Sequence, residues 1–180
     1  MEEQYLSVIL LLGDQDEAAV RACSVAVCAG RQAASQLDGS YVPHLTVVRF
    51  AARPEEASAL WEEVKEYSHR PSSLMSEGLC FSPHSSGTKT WAMLQFKRAD
   101  WLDDLQRTIV SGSFASGHPV NNKIGEAYNP HVSLALLEGT DTSLVDLGKF
   151  PLFRREFNGF TLAVGINGPY QTIGEIVQRR

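Results

Sequence analysis

The apolar positions of this chain follow two rhythms that alternate along its length. Tyr5 to Leu12 is a short apolar run closed by Gly13, the form of a buried strand. An alanine-rich segment opening at a cap on Asp14 or Asp16 then repeats its apolar residues at helical spacing towards Leu37. Gly30 weakens the second half of that helix, and Asp38-Gly39 marks a turn. Val42 to Phe50 alternates as a strand. Pro54 at a first helical position, Glu55 and Glu56 behind it, and apolar Ala57, Leu60, Val64 and Tyr67 predict an amphipathic helix. Past Pro71, Met75 to Pro83 and Thr88 to Phe96 predict a hairpin around His84-Ser85-Ser86-Gly87. Asp100 predicts the cap of a third helix with Leu102, Leu105 and Ile109 as its buried stripe. Ser111 to Asn129 is rich in Gly, Ser and Asn and shows no period, a length of loop that compact domains keep chiefly for function. Asn129 to Leu137 is a strand again, and Phe157 to Ile166 with Tyr170 to Val177 predict a closing hairpin around Asn167-Gly168-Pro169.

The order β-α-β-α-β-β-α-loop-β-β-β predicts an α+β fold with antiparallel sheets, without the glycine fingerprint of a dinucleotide fold. Inside it lies a repeat. Tyr41-Val42-Pro43-His44-Leu45-Thr46-Val47 and Tyr128-Asn129-Pro130-His131-Val132-Ser133-Leu134 share one pattern, Tyr-x-Pro-His-apolar-hydroxyl-apolar. Period-two alternation places His44 with Thr46, and His131 with Ser133, on one face of their strands. By the same parity Arg49 is expected on the face opposite His44, on a lobe surface or beside a helix carboxylate, and outside any site. If the two strands hold equivalent places in two lobes related by a pseudo-twofold, the histidines face each other across a cleft.

Composition bounds the chemistry. A chain of 180 residues, 43% hydrophobic and 21% charged, is expected to form one soluble domain, 1–180, either ordinary or made of two similar lobes, with a core that needs neither metal nor disulfide. No apolar stretch approaches the ~18 residues of a membrane span. Glu2 and Glu3 after Met1 are unlike a secretory or transit leader, so a cytoplasmic monomer is expected. Cys23, Cys28 and Cys80 read as structural thiols. The net charge of -5 disfavours an extended nucleic-acid footprint and leaves room for a small anion in a local pocket.

Imidazole titrates in the neutral range, so of two histidines in one cleft one can accept a proton while the other donates. The Thr46 and Ser133 hydroxyls are placed to hydrogen-bond non-bridging phosphoryl oxygens. This set suits in-line displacement at a phosphodiester and calls for no metal or other cofactor. Lys123 in the long loop is a candidate phosphate contact, and Tyr128, Trp91, Phe81 and Tyr170 are candidates to stack a base. His69, His84 and His118 lack the repeated context. A catalytically silent module for nucleotides or RNA ends is the alternative from another class. A metallohydrolase built on His84, His118 and His131 is disfavoured, because no short ligand spacing supports it.

Two His-x-(Ser/Thr)-apolar strands about ninety residues apart resemble the 2H phosphoesterase superfamily, which includes RNA 2',3'-cyclic phosphodiesterases, 2',5'-phosphodiesterases and LigT-like proteins. The similarity spans essentially the whole chain. Both Tyr-x-Pro-His motifs, and the closing strand around Thr172-Ile173, are most similar to the plant and yeast type of cyclic nucleotide phosphodiesterase. The resemblance implies two antiparallel sheets flanked by helices around a central cleft, and a metal-independent phosphoesterase with His44, Thr46, His131 and Ser133 as its catalytic set. Its implied substrate is a 2',3'-cyclic phosphate on a nucleotide or RNA end, opened to a 2'-phosphate. A 2',5'-linked oligoadenylate or a cyclic oligonucleotide is the alternative. Which histidine is the base stays open at this stage.

Overall fold

All seven predicted strands form. The computed structural model, which describes residues 4–37, 41–140, 152–169 and 172–179, pairs them in one antiparallel array. Strands β1 (Tyr5–Leu11), β3 (His44–Ala51), β4 (Leu74–Pro83), β5 (Lys89–Phe96), β6 (His131–Glu138), β8 (Thr161–Asn167) and β9 (Ile173–Arg179) answer to the apolar runs. β2 (Ala33–Gln36) and the two-residue β7 (Glu156–Phe157) add to them, and the order across the sheet is β7-β4-β5-β6-β3-β1-β8-β9, with β2 on β6. Helix α1 (Asp14–Cys28) is shorter than its alanine content predicts. Gly30, at φ +73, turns the chain back, and the expected second half of the helix becomes β2, which finds backbone partners on β6. Caps differ as well: Gly13 and Ala99 hold the N-cap positions of α1 and α3 (Asp100–Val110), and the aspartates lie in the first turn, where they complement the helix dipole. α2 (Ala57–Val64) lies between two short 3-10 turns, as expected for the Pro54 helix. Among the described residues no helix is long and apolar enough to cross a membrane.

The array is made of two halves. β3 and β6 pair only through Leu45 and Val132, so the two expected sheets meet at one bridge between the two motif strands. Apart from the short β2 and two short helical turns between α3 and β6, the chain on each side runs strand, helix, motif strand: β1-α1-β3 in one half and β5-α3-β6 in the other. β1 sends Leu6, Val8 and Leu10 into the main core, while Ile9 and Leu11 face the other way and pack with Ala163 and Ile173. That smaller cluster forms a wall beside His44, because Leu11 is the register partner of His44.

Each motif strand carries one extra residue at the same place. β1 pairs Val8 with Val48 and Ile9 with Thr46, which leaves Val47 as a β-bulge. β5 pairs Ala92 with Ala135 and Met93 with Ser133, which leaves Leu134. A bulge takes a carbonyl out of the ladder, and a buried carbonyl needs another donor. The Val47 oxygen accepts from Gln106 Nε2 on α3 at 2.9 Å, and the Leu134 oxygen accepts from Ser24 Oγ on α1 at 2.7 Å. Each bulge carbonyl thus takes its shorter bond from the helix of the opposite half, beside a longer one from Asn122 Nδ2 to Val47 O at 3.4 Å and from the Leu37 N–H to Leu134 O at 3.3 Å. Gln106 also accepts from the Gly125 N–H through Oε1 at 2.8 Å, and only 2% of it is exposed. Gln106→Leu is expected to leave the Gly125 N–H without its partner and the Val47 carbonyl with only the longer 3.4 Å bond from Asn122 Nδ2, and to lower stability by about 1–3 kcal/mol, read from urea unfolding. A change within experimental error would show that water or another donor serves the bulge instead.

The segment 111–129, expected to lack structure, holds the short helix α4 (Ser113–Gly117) and a 3-10 turn at Gly125–Ala127. It is clamped along β3 beyond the bridge to β6. Ala51 N–H donates to Pro119 O at 2.9 Å, Asn121 N–H donates to Arg49 O at 2.7 Å, and Phe50 faces Val120 in an isolated bridge. Phe114 sets its ring edge-on to Phe50 at 5.3 Å, and Glu63 accepts from the Phe114 N–H. His118 stacks on Phe114 and bonds Glu56 at 3.0 Å, a structural place for a histidine that lacks the repeated context.

Candidate active site

The prolines before each motif histidine deliver the chain to the two central strands, and the same short bond recurs at both. His44 Nδ1 meets Val42 O, and His131 Nδ1 meets Asn129 O, each at 2.8 Å. With the Nδ1 hydrogen donated to a carbonyl, Nε2 is the free, reactive nitrogen of each ring. His44, Thr46, His131 and Ser133 all line one cavity of about 290 Å³, together with Trp91, Lys123 and Tyr128. The four polar motif positions thus come together.

Other expected site residues fare differently. Trp91 and Met93 share the cleft face of β5, since Met93 is opposite Ser133 and Trp91 lies two residues away. Lys123 sits exposed on the rim. Tyr128 lines the cavity but is 4% exposed, and its hydroxyl donates to the Thr46 carbonyl at 2.8 Å. It ties one motif to the other rather than offering a free ring to a base, and burial pushes its phenol pKa up. Phe81 corrects the expectation outright. It pairs with Ala92, on the face opposite Trp91, and packs against the main core. Its strand neighbours Cys80 and Ser82 pair with Met93 and Trp91 on the cleft face. Tyr170 lies outside the described residues.

Arg49 overturns a second expectation. Simple alternation turns it away from His44, but the bulge at Val47 adds one residue and reverses the parity. β1 runs without an extra residue, so Ser7, Ile9 and Leu11 share a face, and they stand opposite Arg49, Thr46 and His44. Arg49 therefore lines the cavity. Asn122 joins it there and accepts the Arg49 backbone N–H through Oδ1 at 2.7 Å. The available signal for Arg49 is a lone charge in the apolar run Val47-Val48-Arg49-Phe50.

No carboxylate lines the cavity among the described residues. His44 has its pKa lowered to about 4, mainly because burial disfavours the charged ring; the Val42 bond opposes this, and Arg49 and His131 add to it. His131 is lowered too, again chiefly by burial, with its bond to the Asn129 carbonyl opposing and Arg49 adding. Both rings are predominantly neutral at pH 7. Among the described residues, no group of three or more His, Cys, Asp or Glu side chains comes together as a metal site.

No family model matches the sequence, and no curated protein matches it either. Solved structures do match in fold. TT0787 of Thermus thermophilus aligns with a TM-score of 0.61 at 17% identity, over 97% of this chain and 96% of that one. Escherichia coli LigT in complex with 3'-AMP aligns with a TM-score of 0.61 at 15% identity, over 99% and 98%. A structure described as a phosphoesterase aligns with a TM-score of 0.65 at 16% identity, over 99% and 98%. The chain has the LigT-like fold, with one histidine motif on each of its two central strands, and those motifs resemble the 2H phosphoesterases.

Proposed function

We propose that this protein is a metal-independent phosphodiesterase that opens 2',3'-cyclic phosphates on nucleotides or RNA ends. The observation that carries the reading is the matched pair of His-x-hydroxyl strands lining one cavity, each imidazole presenting Nε2. His44, the ring that burial holds neutral most strongly, serves as base. It takes a proton from water as the water oxygen bonds to phosphorus. His131, in its protonated form, gives its proton to the departing ribose 3' oxygen as the bond from phosphorus to that oxygen breaks. A 2'-phosphomonoester remains, the product expected of the plant and yeast type that the motifs resemble. Thr46 and Ser133 donate to the non-bridging oxygens, and Trp91 offers a face for the base. LigT has been solved with 3'-AMP, so this fold can hold a nucleotide with a phosphate on its ribose.

The test is cleavage by purified protein in EDTA of 2',3'-cyclic mononucleotides, a linear 2',5'-oligoadenylate and a cyclic dinucleotide, followed across pH. The cyclic mononucleotides are expected to be opened at an undiminished rate, with phosphate left on the 2' position. Because both histidines titrate below their ordinary value, kcat/KM is expected to peak on the acid side of pH 6.5 and to fall below about pH 4, where His44 protonates. The profile has this shape whichever ring is the base. Activity that vanishes with EDTA, or nucleotide binding with no cleavage of any diester, would overturn the reading. Preference for the 2',5' linkage would shift the substrate and keep the chemistry.

A further inference from the structure

Among the described residues Arg49 is a cation buried without a counter-ion. Only 7% of the residue is exposed, its Nε is enclosed with no hydrogen-bond partner, and no ion pair reaches its guanidinium among the described residues. Arg21, Arg98 and Arg155 are neutralised by Glu17, Asp103 and Asp16, and Arg31, whose terminal nitrogens are also enclosed without a partner, lies outside the cavity. The backbone of Arg49 is pinned on both sides by the crossover loop, its N–H by Asn122 and its carbonyl by Asn121. The bulge at Val47 then directs it to the cavity that holds both histidines. A buried guanidinium left alone is costly, and its planar fork matches two oxygens of a carboxylate or phosphoryl group.

We infer that Arg49 is the anion ligand of the cleft, its guanidinium pairing with the non-bridging oxygens of the substrate phosphoryl group beside the Thr46 hydroxyl. That the anion is a phosphate rests on the phosphodiesterase reading above. The site is one-sided. The matching place after the second bulge is Leu136, which is fully buried and paired with Ser35 of β2. Substrate therefore binds in one orientation, phosphoryl group towards β3 and organic part towards Trp91 and Met93 on β5.

A consequence is that anion binding draws in a proton. The charged and titratable groups around Arg49 are His44 on its own strand, His131 on β6, Tyr5 on β1, and Lys123 and Tyr128 from the crossover segment. The unneutralised guanidinium disfavours the charged form of both imidazoles. A bound phosphate offsets that field, so one imidazole regains its proton as the complex forms.

Isothermal titration of the protein with inorganic phosphate, in buffers of different ionisation heat, measures affinity and proton uptake together. Arg49→Met is expected to weaken phosphate at least tenfold and to abolish most of the proton uptake; Arg49→Lys should recover part of the affinity. Arg107→Met, an exposed cation paired with Asp104 outside the cavity, is expected to change affinity less than threefold. Phosphate bound by Arg49→Met within twofold of wild type would overturn the inference. Should that variant fail to fold, the Nε–H resonance of Arg49 in the wild-type protein, assigned by its loss in Arg49→Lys, must move as phosphate is added. No movement at saturating phosphate overturns the inference equally. Turnover is not needed for either readout. Arg49-dependent phosphate binding without cleavage of any diester would sink the reaction and leave this site standing. Cleavage with unchanged KM and phosphate affinity in Arg49→Met would do the reverse.

Discussion

His44→Ala and His131→Ala are each expected to lower kcat for a 2',3'-cyclic nucleotide by roughly a hundredfold to ten-thousandfold, with KM nearly unchanged. Each ring moves one proton in the transition state and contributes little to holding the ground state, so the loss falls on kcat. The double variant should lose little beyond the worse single one, because acid and base act on the same step. Both residues lie at the cleft end of their strands and are not fully enclosed, so circular dichroism and melting should stay near wild type. For His44 the sign of any stability change is set by its pKa. A ring held neutral at about 4 contributes stability above its unfolded value near 6.5 that is lost as pH falls through 4, and alanine removes that pH dependence. Single-turnover rates measured with each variant would decide the matter. Retention of more than a tenth of the wild-type rate by either variant would exclude the two-histidine mechanism.

Phe50→Ala is expected to cost about 3–5 kcal/mol, a larger stability loss than Gln106→Leu, measured by urea unfolding. The ring is fully buried at the point where β3 leaves β6 and takes the crossover segment as its neighbour. Removing it opens a cavity and strips the edge-on contact from Phe114, which anchors the segment carrying Asn122 and Lys123. Phosphate affinity should therefore weaken along with stability. A loss under 1 kcal/mol would mean that the Glu63 and His118 bonds alone hold the segment in place.

Much of this is legible in the chain because it is local. Alternation in each motif strand sets His44 beside Thr46 and His131 beside Ser133 within three residues, and no partner strand is needed to read it. The failures all depend on partners. Strand parity puts Arg49 on the wrong face because the bulge before it is stabilised from α3, through Gln106, far along the chain. Phe81 misleads because the face of a strand follows from its register with β5. α1 ends earlier than its composition predicts because alanine-rich sequence favours helix wherever no edge competes, and β6 supplies one. Gln106 itself is a readable hint, a polar side chain adjoining Leu102, Leu105 and Ile109 in the buried stripe of α3.

The crossed satisfaction of the two bulges also bears on synthesis. Ser24 meets the Leu134 carbonyl 110 residues further along the chain. A ribosome working at about 5–20 residues per second needs roughly 5–20 seconds to cover that distance. During that interval the apolar stripe of α1, with Val20, Cys23 and Val27, has been made but its covering strand has not. The unfinished chain is thus expected to expose that stripe until the second half emerges and covers it.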